Sequence, residues 1–334
     1  MSATPAISII LPIFRVEKYL ANCLDSVCNQ TLHDIEVILA TDGPEACDAI
    51  CREYAAKDSR ISIIMRPGGY GQAINKSINV ANGEYIGIVE TDDWLEPFMF
   101  QKLYDMAKCC NADLCKGAFY CSFDDKTKNY TVYTDIPSGP FQLQNYPRIL
   151  SYQPSVWSAI YRTEFIKQHQ IYFMEERLSY LDTPFHLETL IRAKRISFVN
   201  EPLYHYYLDN PEQSVKSDGK PLDGLLTEKF FYKKFPNFKK LDANVYEGLV
   251  LTALEHLSWN YDRLTTAENK RIFWKEARSF ARMFAERPPS FAECSLTQRL
   301  FFRLLLASPS PIVMDWAQAG LRVYAKMKKL SHFL

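Results

Sequence analysis

The sequence predicts an α/β fold in which a parallel sheet is covered by helices on both faces, followed by a wholly helical region. Two observations lead to this prediction. Through residues 7–90, short apolar runs alternate with segments whose apolar residues recur every three or four positions, and this alternation is typical of parallel β-α-β units. After the polar stretch 209–221 the composition shifts, and residues 222–334 show a helical pattern throughout.

The predicted elements follow one another at short spacing. The apolar run "ISIILPIF" at 7–14 is typical of a strand buried on both faces. Within 17–30, Leu20, Leu24 and Val27 recur at helical spacing. Residues 124–147 are rich in Tyr, Pro and Gly, which predicts loops and short strands. Further strands are predicted at 34–43, 60–65, 84–90, 113–123 and 196–200, and further helices at 45–57, 72–81, 97–110 and within 148–215.

Composition places the chain among ordinary globular proteins. It has 334 residues, of which 47% are hydrophobic and 23% charged, so two or three domains with apolar cores are expected. The formal net charge of +0 excludes a global basic field for nucleic acid. No nucleic-acid partner is therefore expected.

The cysteines and the N-terminus indicate the compartment. The 9 cysteines are scattered and form no C-x-x-C pair, which predicts buried thiols rather than a zinc site, and a reducing cytoplasm. "MSATPA" runs into the first strand without a basic leader, so no signal peptide is expected. No apolar stretch reaches the length of a spanning helix.

Three polar features follow three predicted strands. Asp42 follows the second strand, the glycine-rich turn 66–71 follows the third, and the pair Asp92 and Asp93 follows the fourth. Ligands of open parallel sheets bind beyond the carboxyl ends of the strands. The sequence therefore predicts one site at that edge.

Asp92 and Asp93 are the strongest candidates for chemistry. Together with Glu90 they crowd three carboxylates at the end of an apolar strand, where a cation would offset their repulsion. The predicted ion is Mg²⁺ or Mn²⁺, with phosphate and water completing its coordination. The alternative is a solvated turn that caps the helix beginning near Pro97.

Two further segments carry weaker signals. The turn "PGGYGQAIN" at 67–75 could direct backbone N–H groups at a phosphate, or could be a plain turn. In "YLDTPFHLETL", Thr183 is expected as N-cap and Pro184 as the first helical residue. Asp182 would then lie just outside the helix, as a general base or as a carboxylate that complements the helix dipole.

Three aromatic and histidine side chains remain open to two interpretations. His205 could contact a phosphate or metal, or could be a structural histidine among tyrosines. Trp157 and Tyr161 could stack on a sugar, but their i, i+4 spacing suits core packing equally well.

Taken in order, five segments resemble the family 2 glycosyltransferases with the GT-A fold. They are "ISIILPIF", "LATDG", "GGYGQAINKSINVANGEYIGIVETDDW", "VWSAIYRTEF" and "LDTPFHLETLIRAKRISFVNEPLYHYYLDN". The resemblance covers about residues 5–215 and is strongest to enzymes that assemble bacterial capsule or lipopolysaccharide. It implies a GT-A (Rossmann-like) nucleotide-sugar-binding domain with a mixed central sheet, followed by the helical C-terminal region.

The resemblance implies a role for each candidate. Asp42 would contact the nucleotide base, and Asp92 and Asp93 would meet the ribose, the diphosphate and the metal. Asp182 matches the usual catalytic base, and His205 lies near the donor phosphates in the family. The implied donor-binding set is Pro12, Phe14, Asp42, Gly69, Gln72, Asn75, Asp92 and His205.

The chain also departs from the family's pattern. Ile74 replaces an arginine, which removes one donor-binding cation, and Lys76 or Arg66 could substitute for it. A uridine base is expected. The other departures are at Arg15, Thr41, Glu90 and Leu181.

The implied function is an inverting, metal-dependent transfer of a sugar from a nucleotide-sugar to a hydroxyl of a glycan or lipid-linked oligosaccharide. A sugar-phosphate nucleotidyltransferase and a non-catalytic carbohydrate-binding protein are the alternatives. The expected domains are 1–115 for the nucleotide-sugar, 116–221 for the acceptor and a helical 222–334. Peripheral contact with the inner face of the plasma membrane through 297–334, and a homo-oligomer, are open expectations.

Overall fold

The computed structural model describes residues 4–124, 130–133, 135–211, 220–290 and 294–315. The chain divides into two compact units, Met1–Gln213 and Ser214–Leu334, here called the first and the second unit. The first unit is α/β and the second is helical, which confirms the predicted fold class. The expected division of the first unit near residue 115 stays a prediction.

The first unit alternates strands and helices along its described residues. Its strands are β1 (Ile7–Ile13), β2 (Ile35–Thr41), β3 (Ile61–Met65), β4 (Tyr85–Ile88), β5 (Trp94–Leu95), β6 (Leu114–Ser122), β7 (Tyr130–Val132), β8 (Gly139–Phe141), β9 (Ala159–Arg162) and β10 (Ile196–Tyr207). Its helices are α1 (Glu17–Cys28), α2 (Glu45–Lys57), α3 (Tyr70–Val80), α4 (Met99–Cys109), α5 (Thr163–Gln168) and α6 (Asp182–Arg192).

All these strands belong to one mixed sheet. Along its main path the order is β3-β2-β1-β4-β9-β6-β10-β5, with β7 paired to β6 and β8 to β10. Strands β3, β2, β1 and β4 are mutually parallel, whereas β9 runs antiparallel to both β4 and β6. The prediction of a parallel sheet is therefore confirmed for the first four strands, and the mixed sheet implied by the resemblance is confirmed for the whole.

The centre of the sheet is apolar on both faces. Every residue of β1 is buried, including Ile9 and Leu11 at 0% exposure. Full burial of such side chains stabilises the fold by roughly 1.5–3 kcal/mol each. Helix α1 buries Leu20, Leu24 and Val27, as their spacing predicted. This core holds the carboxyl ends of β1, β2 and β4 in fixed register.

Two segments differ from the sequence prediction. Strand β10 continues to Tyr207 because register shifts around Pro202 accommodate the missing N–H of that proline. Residues 156–161 are not helical, since a 3₁₀ turn at Val156–Ser158 leads directly into β9. Trp157 and Tyr161 are nevertheless buried, so they pack in the core, as one of the two interpretations held.

The thiols are mostly enclosed but not uniformly so. All 9 cysteines are free. Cys109 is exposed, because it ends α4 at the surface, whereas the expectation was burial for the whole set. The buried thiols are Cys23, Cys47, Cys51, Cys115 and Cys294.

The second unit packs its helices around aromatic side chains. Its described α-helices are α7 (Lys220–Lys234), α8 (Ala243–Asp262), α9 (Ala267–Ala281) and α10 (Leu296–Ala307). Tyr232 contacts Phe238, Phe280 and Phe284 at ring-centroid distances of 4.8, 5.1 and 5.4 Å. Among the described helices of the chain, none combines the length and apolar character needed to cross a bilayer.

Candidate active site

The parallel register brings several predicted residues to one edge. Ile13 of β1 lies beside Thr41 of β2, and Thr41 lies beside Met65 of β3. The residues that follow these strand ends therefore emerge at one level, with Phe14 and Asp42 as direct neighbours. Phe14 is 57% exposed, an unusual state for a large apolar side chain and one suited to covering a flat ligand.

Asp42 is held by its backbone and not by its side chain. Its N–H donates to the carbonyl of Ile13 at 3.0 Å. The next residue, Gly43, is fixed by Arg66, whose Nη1 donates to the Gly43 carbonyl at 2.7 Å while Nη2 contacts Asp48 Oδ2 at 2.6 Å. Arg66 thus braces the turn beside Asp42, which differs from the expectation that it could replace a donor-binding arginine.

Asp48 anchors this brace. Burial raises the pKa of the Asp48 carboxyl, but hydrogen bonds from Thr41 and Arg66 outweigh burial and lower it overall. Thr41 Oγ1 donates to Asp48 Oδ1 at 2.8 Å. Thr41, which stands where the family usually has its first aspartate, therefore helps to hold Asp48 in place.

Pro12 connects β1 to the loop that carries the aspartates. Its carbonyl accepts a hydrogen bond from Thr91 Oγ1 at 3.2 Å. Beyond β1, a cavity of about 310 Å³ is lined by residues that include Arg15, Lys18 and Asn210. The cavity lies next to the predicted donor-binding edge.

Glu90 is a half-buried carboxyl with a tyrosine partner. Tyr70 OH donates to Glu90 Oε1. Burial, together with the charges of Asp92 and Asp182, raises the pKa of Glu90 to about 8. At neutral pH this side chain is therefore mostly protonated when no cation is near.

Asp92 and Asp93 have different surroundings. Asp92 is partly exposed, and its Oδ2 accepts a hydrogen bond from Asn210 Nδ2 at 2.7 Å. Asp93 is 1% exposed, and its two oxygens accept from Tyr204 OH at 2.7 Å and from Tyr207 N–H at 2.8 Å. Both aspartates were expected to contact the metal directly. Asp93 is enclosed, because its two oxygens bond the loop to β10, so only Asp92 is open to an ion.

The carboxylates offer one partly exposed ligand for the expected divalent cation. Within the described ranges, no three His, Cys, Asp or Glu side chains are grouped so as to hold a metal. Asp92 nevertheless suits an ion that takes one carboxylate and is completed by phosphate and water. Burial raises the pKa of Asp92, and a nearby cation would reverse that cost. The residues therefore fit a site shared with a diphosphate.

The glycine turn has the backbone conformation that its sequence requires. Gly68 and Gly69 have φ of 102° and 104°, values that L side chains rarely adopt. Gly69 is the N-cap of α3, and the helix begins at Tyr70, two residues before its predicted start. When the amide nitrogen of Gln72 is oriented toward the turn, it donates to the Gly68 carbonyl at 2.7 Å, so the side chain supports the turn.

The side-chain amide of Asn75 is engaged by hydrogen bonds within the chain. Its Nδ2 donates to the Phe173 carbonyl at 3.0 Å and to Glu175 Oε1 at 3.1 Å, and its Oδ1 accepts from Phe173 N–H at 2.9 Å. A Cβ at Gly71 would lie 1.9 Å from the Met174 carbonyl. The "GQAIN" segment thus fixes residues 173–175, which precede the helix of Asp182; the family-derived role of Asn75 in donor binding is not what these contacts indicate.

Asp182 begins α6. Leu181, with φ −67° and ψ −17°, is the N-cap, so the helix starts before the predicted Thr183 and Pro184. The helix dipole favours a negative charge at this position. Tyr70, whose OH donates to Glu90, contacts the ring of Phe173 at 5.8 Å, and Phe173 stacks on Phe185 of α6 at 4.4 Å. These contacts bring the start of α6 toward the end of β4.

His205 is a structural histidine in this arrangement. Its ring is stacked with Trp94 and Tyr120, each at a centroid distance of 4.9 Å. Its Nδ1 lies 3.1 Å from Ser122 Oγ and its Nε2 lies 3.0 Å from Glu96 Oε1. Both nitrogens are thus engaged, in line with the structural interpretation and not with phosphate contact.

Two features of the site could not be anticipated. Lys116 on β6 is 1% exposed and lies within the electrostatic reach of Asp182. Four non-glycine residues near the site, Arg15, Arg66, Tyr133 and Tyr180, have φ between 52° and 71°. Such conformations cost about 1 kcal/mol or more and often accompany functional sites. Positive φ at these residue types leaves no pattern in a sequence.

Comparison with known proteins gives a consistent result. The family described as "Glycosyl transferase family 2" matches residues 8–169. The uncharacterized glycosyltransferase EpsJ of Bacillus subtilis (strain 168) is 33% identical over 260 residues, which cover 72% of this chain and 74% of that protein.

Solved structures share the fold. S. aureus TarS 1-349 in complex with UDP has a TM-score of 0.77 at 20% identity, over 94% of this chain and 91% of that chain. Its complex with UDP-GlcNAc has a TM-score of 0.76 at 19% identity, over 94% and 92%. The mannosyltransferase PcManGT from Pyrobaculum calidifontis, in complex with GDP-Man and Mn²⁺, has a TM-score of 0.52 at 12% identity, over 94% and 84%. These similarities confirm the expected GT-A fold.

The raised pKa of Glu90 predicts a pH-dependent stability. The carboxyl ionises at about pH 4.5 when unfolded and at about 8 when folded, so the folded protein loses stability as pH rises from 4.5 to 8. Glu90→Gln, which cannot ionise, should be more stable than the wild type at pH 8 by on the order of 1 kcal/mol or more. Urea unfolding in EDTA at pH 5 and pH 8 measures this, and an equal difference at both pH values would contradict it.

Proposed function

Because this chain belongs to glycosyl transferase family 2, we propose that it is an inverting, metal-dependent glycosyltransferase that uses a UDP-sugar. The acceptor is a hydroxyl of a glycan or of a lipid-linked oligosaccharide in bacterial surface polysaccharide synthesis. The observation that carries the proposal is the parallel register of β1, β2 and β4, whose ends bring the residues after them, Asp42 and Asp92 among them, to one edge of the sheet. Binding of UDP and UDP-GlcNAc by TarS supports the choice of donor.

The donor nucleotide lies across the ends of β1 and β2. Phe14 covers the flat base, and the carboxylate of Asp42 accepts a hydrogen bond from a ring N–H. The backbone of the turn at Gly69 opens α3, where N–H groups favour a phosphate. This set orients the sugar toward the end of β4.

Asp92 would hold a divalent cation beside the leaving group. Mn²⁺ or Mg²⁺, when bound there, neutralises the charge that develops on the departing diphosphate. Asn210 keeps the Asp92 carboxylate in place, and Asp93 fixes the loop from below. We therefore assign the metal contact to Asp92 and the support of that contact to Asp93.

Asp182 acts as the base. It takes the proton of the acceptor hydroxyl while the acceptor oxygen forms a bond to the anomeric carbon. The bond from that carbon to the diphosphate oxygen breaks, and the diphosphate leaves with the electron pair. A single displacement from the opposite face inverts the anomeric configuration, and one base suffices.

Incubation of the purified chain with a panel of sugar nucleotides and Mn²⁺ tests the function. Release of a nucleoside diphosphate, with UDP-sugars preferred and with transfer to a glycan acceptor, is the expected result. Release of pyrophosphate would indicate a nucleotidyltransferase, and binding without turnover would indicate a carbohydrate-binding protein. Either result overturns the proposal.

Asp182→Asn should reduce turnover by roughly 10²-fold or more, because a general base contributes about that much. Donor binding should be unchanged, since Asp182 lies on α6 and the donor-binding residues lie on other elements. Turnover and the dissociation constant for UDP measure the two effects. Near-normal turnover would remove the assignment.

Asparagine variants of Asp92 and Asp93 separate metal contact from support. Asp92→Asn should lose the Mn²⁺ dependence of UDP binding and keep its unfolding free energy. Asp93→Asn should lose about 1–3 kcal/mol of stability, because an amide cannot accept both hydrogen bonds from Tyr204 and Tyr207. Calorimetric binding and urea unfolding measure these effects. If Asp93→Asn is stable yet loses the Mn²⁺ dependence, Asp93 is the ligand.

Membrane contact is proposed for the C-terminal end. The run "RLFFRLLL" buries Phe301, Phe302 and Leu305 within the second unit, so it serves the helical core. The basic segment 322–333 lies outside the described residues and remains the candidate for an anionic surface. The full chain should sediment with anionic vesicles and not with neutral ones, and a chain ending at residue 315 should not sediment. Equal sedimentation of both chains would contradict this.

A further inference from the structure

Two cationic side chains line the cavity of about 310 Å³ beyond β1, here called the cationic cavity. Arg15 lies in the loop after β1, and Lys18 lies near the start of α1. Both side chains are exposed, and neither forms an ion pair with a carboxylate of the described residues. Glu17 is the one carboxylate among the described residues of its wall, so the cavity keeps a net positive charge.

The cationic cavity adjoins the loop that carries the aspartates. Asn210 belongs to its wall and donates through Nδ2 to Asp92 Oδ2 at 2.7 Å. Tyr19 belongs to the same wall and contacts the ring of Tyr207 at a centroid distance of 5.5 Å. The N–H of Tyr207 donates to Asp93 Oδ1 at 2.8 Å. A single side chain therefore separates the cavity from Asp92, and the contact between two tyrosines links it to Asp93.

Arg15 also adjoins the ring that the proposed function assigns to the base. Its guanidinium carbon lies 5.1 Å from the ring centroid of Phe14. The backbone of Arg15 has a φ of 54°, a left-handed conformation that arginine rarely adopts. Because Arg15 lies beside Phe14 and Asn210 lies beside Asp92, the cationic cavity extends from the base end to the metal end of the proposed donor site.

The other cations considered for the donor are engaged within the chain. The guanidinium of Arg66 is bound to the turn after β2 and to the first part of α2. Lys76 Nζ donates to the Pro67 carbonyl at 2.6 Å. Ile74, which stands where the resembled family usually has an arginine, is 0% exposed. The described side chains of α3 therefore leave the positive charge for a diphosphate to another element.

We propose that Arg15 and Lys18 bind the diphosphate of the donor, and that Arg15 supplies from the loop after β1 the charge that Ile74 cannot supply from α3. This inference rests on the proposed function, in which the donor is a nucleotide-sugar. A guanidinium group can bind two phosphate oxygens at once, whereas an ammonium group acts as a compact charge.

A positive pair at this place meets an electrostatic requirement of the site. The donor diphosphate is anionic, and the carboxylate of Asp92 repels it at short range. A divalent cation at Asp92 would offset this repulsion on one side of the diphosphate, and Arg15 and Lys18 attract the diphosphate from the other. Part of the affinity for a nucleoside diphosphate should therefore persist without a divalent ion.

Glutamine variants of the two cations test the proposal in EDTA. Arg15→Gln and Lys18→Gln should each weaken the binding of UDP by roughly tenfold, because a hydrogen bond to a charged group contributes about that much. The affinity for uridine, which has no phosphate, should stay the same. Calorimetric titration of both ligands measures the difference. Both side chains are exposed, so the variants should fold as the wild type does.

Lys57→Gln is the matched control. It removes the same charge from an exposed lysine, and α2 has 13 residues, so Lys57 lies about 18 Å from the start of that helix beside the cavity. Both affinities should be unchanged in this variant. An equal loss of UDP and uridine affinity in Arg15→Gln would show that Arg15 acts only on the base through Phe14. That result, or an unchanged UDP affinity, overturns the inference.

Inorganic pyrophosphate separates this inference from the proposed function. Its ³¹P resonance, followed in EDTA, should show binding to the wild type and roughly tenfold weaker binding or less to the variant that combines Arg15→Gln and Lys18→Gln. That result supports the anion site even if no sugar is transferred, in which case the proposed function alone fails. Unchanged pyrophosphate binding in a double variant that transfers sugar refutes the role of the two cations and leaves the function intact.

The same titration identifies the source of the anion. A lipid-linked acceptor can also carry a diphosphate, so the double variant is titrated with UDP as well. Loss of affinity for both pyrophosphate and UDP assigns the cationic cavity to the donor. Loss of pyrophosphate affinity with intact UDP affinity would assign it to a different anion and overturn the inference.

Discussion

The architecture of the first unit depends on the enclosed carboxylate of Asp93. Its two oxygens accept from Tyr204 OH and from Tyr207 N–H, so the loop after β4 is bound to the far end of β10. Tyr204 OH also accepts from the Glu90 N–H at 3.1 Å. An unpaired carboxylate at 1% exposure would be costly, and these bonds to a neighbouring strand make its burial tolerable. The loop that presents Asp92 is therefore rigid, which a metal-assisted reaction requires.

The carboxyl groups around that loop are all acidic, and no positive charge of the loop itself compensates them. Glu90, Asp92 and Asp93 all have raised pKa values, with burial as the main cause. A protein keeps such a costly cluster where a ligand or an ion compensates it.

Residue patterns predicted some of these roles better than others. The strand ends and the carboxylates Asp42 and Asp92 follow from alternation and chemistry, because residues after parallel strands must meet at one edge. Asp182 follows no parallel strand, and only the family resemblance favoured it as the base. The contacts of Asn75 and His205 favour structural roles, since a polar side chain in a matching segment can equally bind the chain's own backbone or rings. Of the two interpretations of Trp157 and Tyr161, their burial favours core packing, on a turn and a strand instead of a helix.

By itself the sequence determined the order of the elements as far as β4, the parallel first four strands and the edge at which their acidic residues emerge. These follow from local periodicity and from the geometry of β-α-β units, which neighbouring residues specify. Only the tertiary structure decided that Asp93 is enclosed while Asp92 stays partly exposed, that β9 runs antiparallel, and that Lys116 is buried beside Ser155. Those outcomes depend on contacts between residues 39 to 114 positions apart, as in Lys116 with Ser155 and Asp93 with Tyr207, where burial and hydrogen bonding override any local preference.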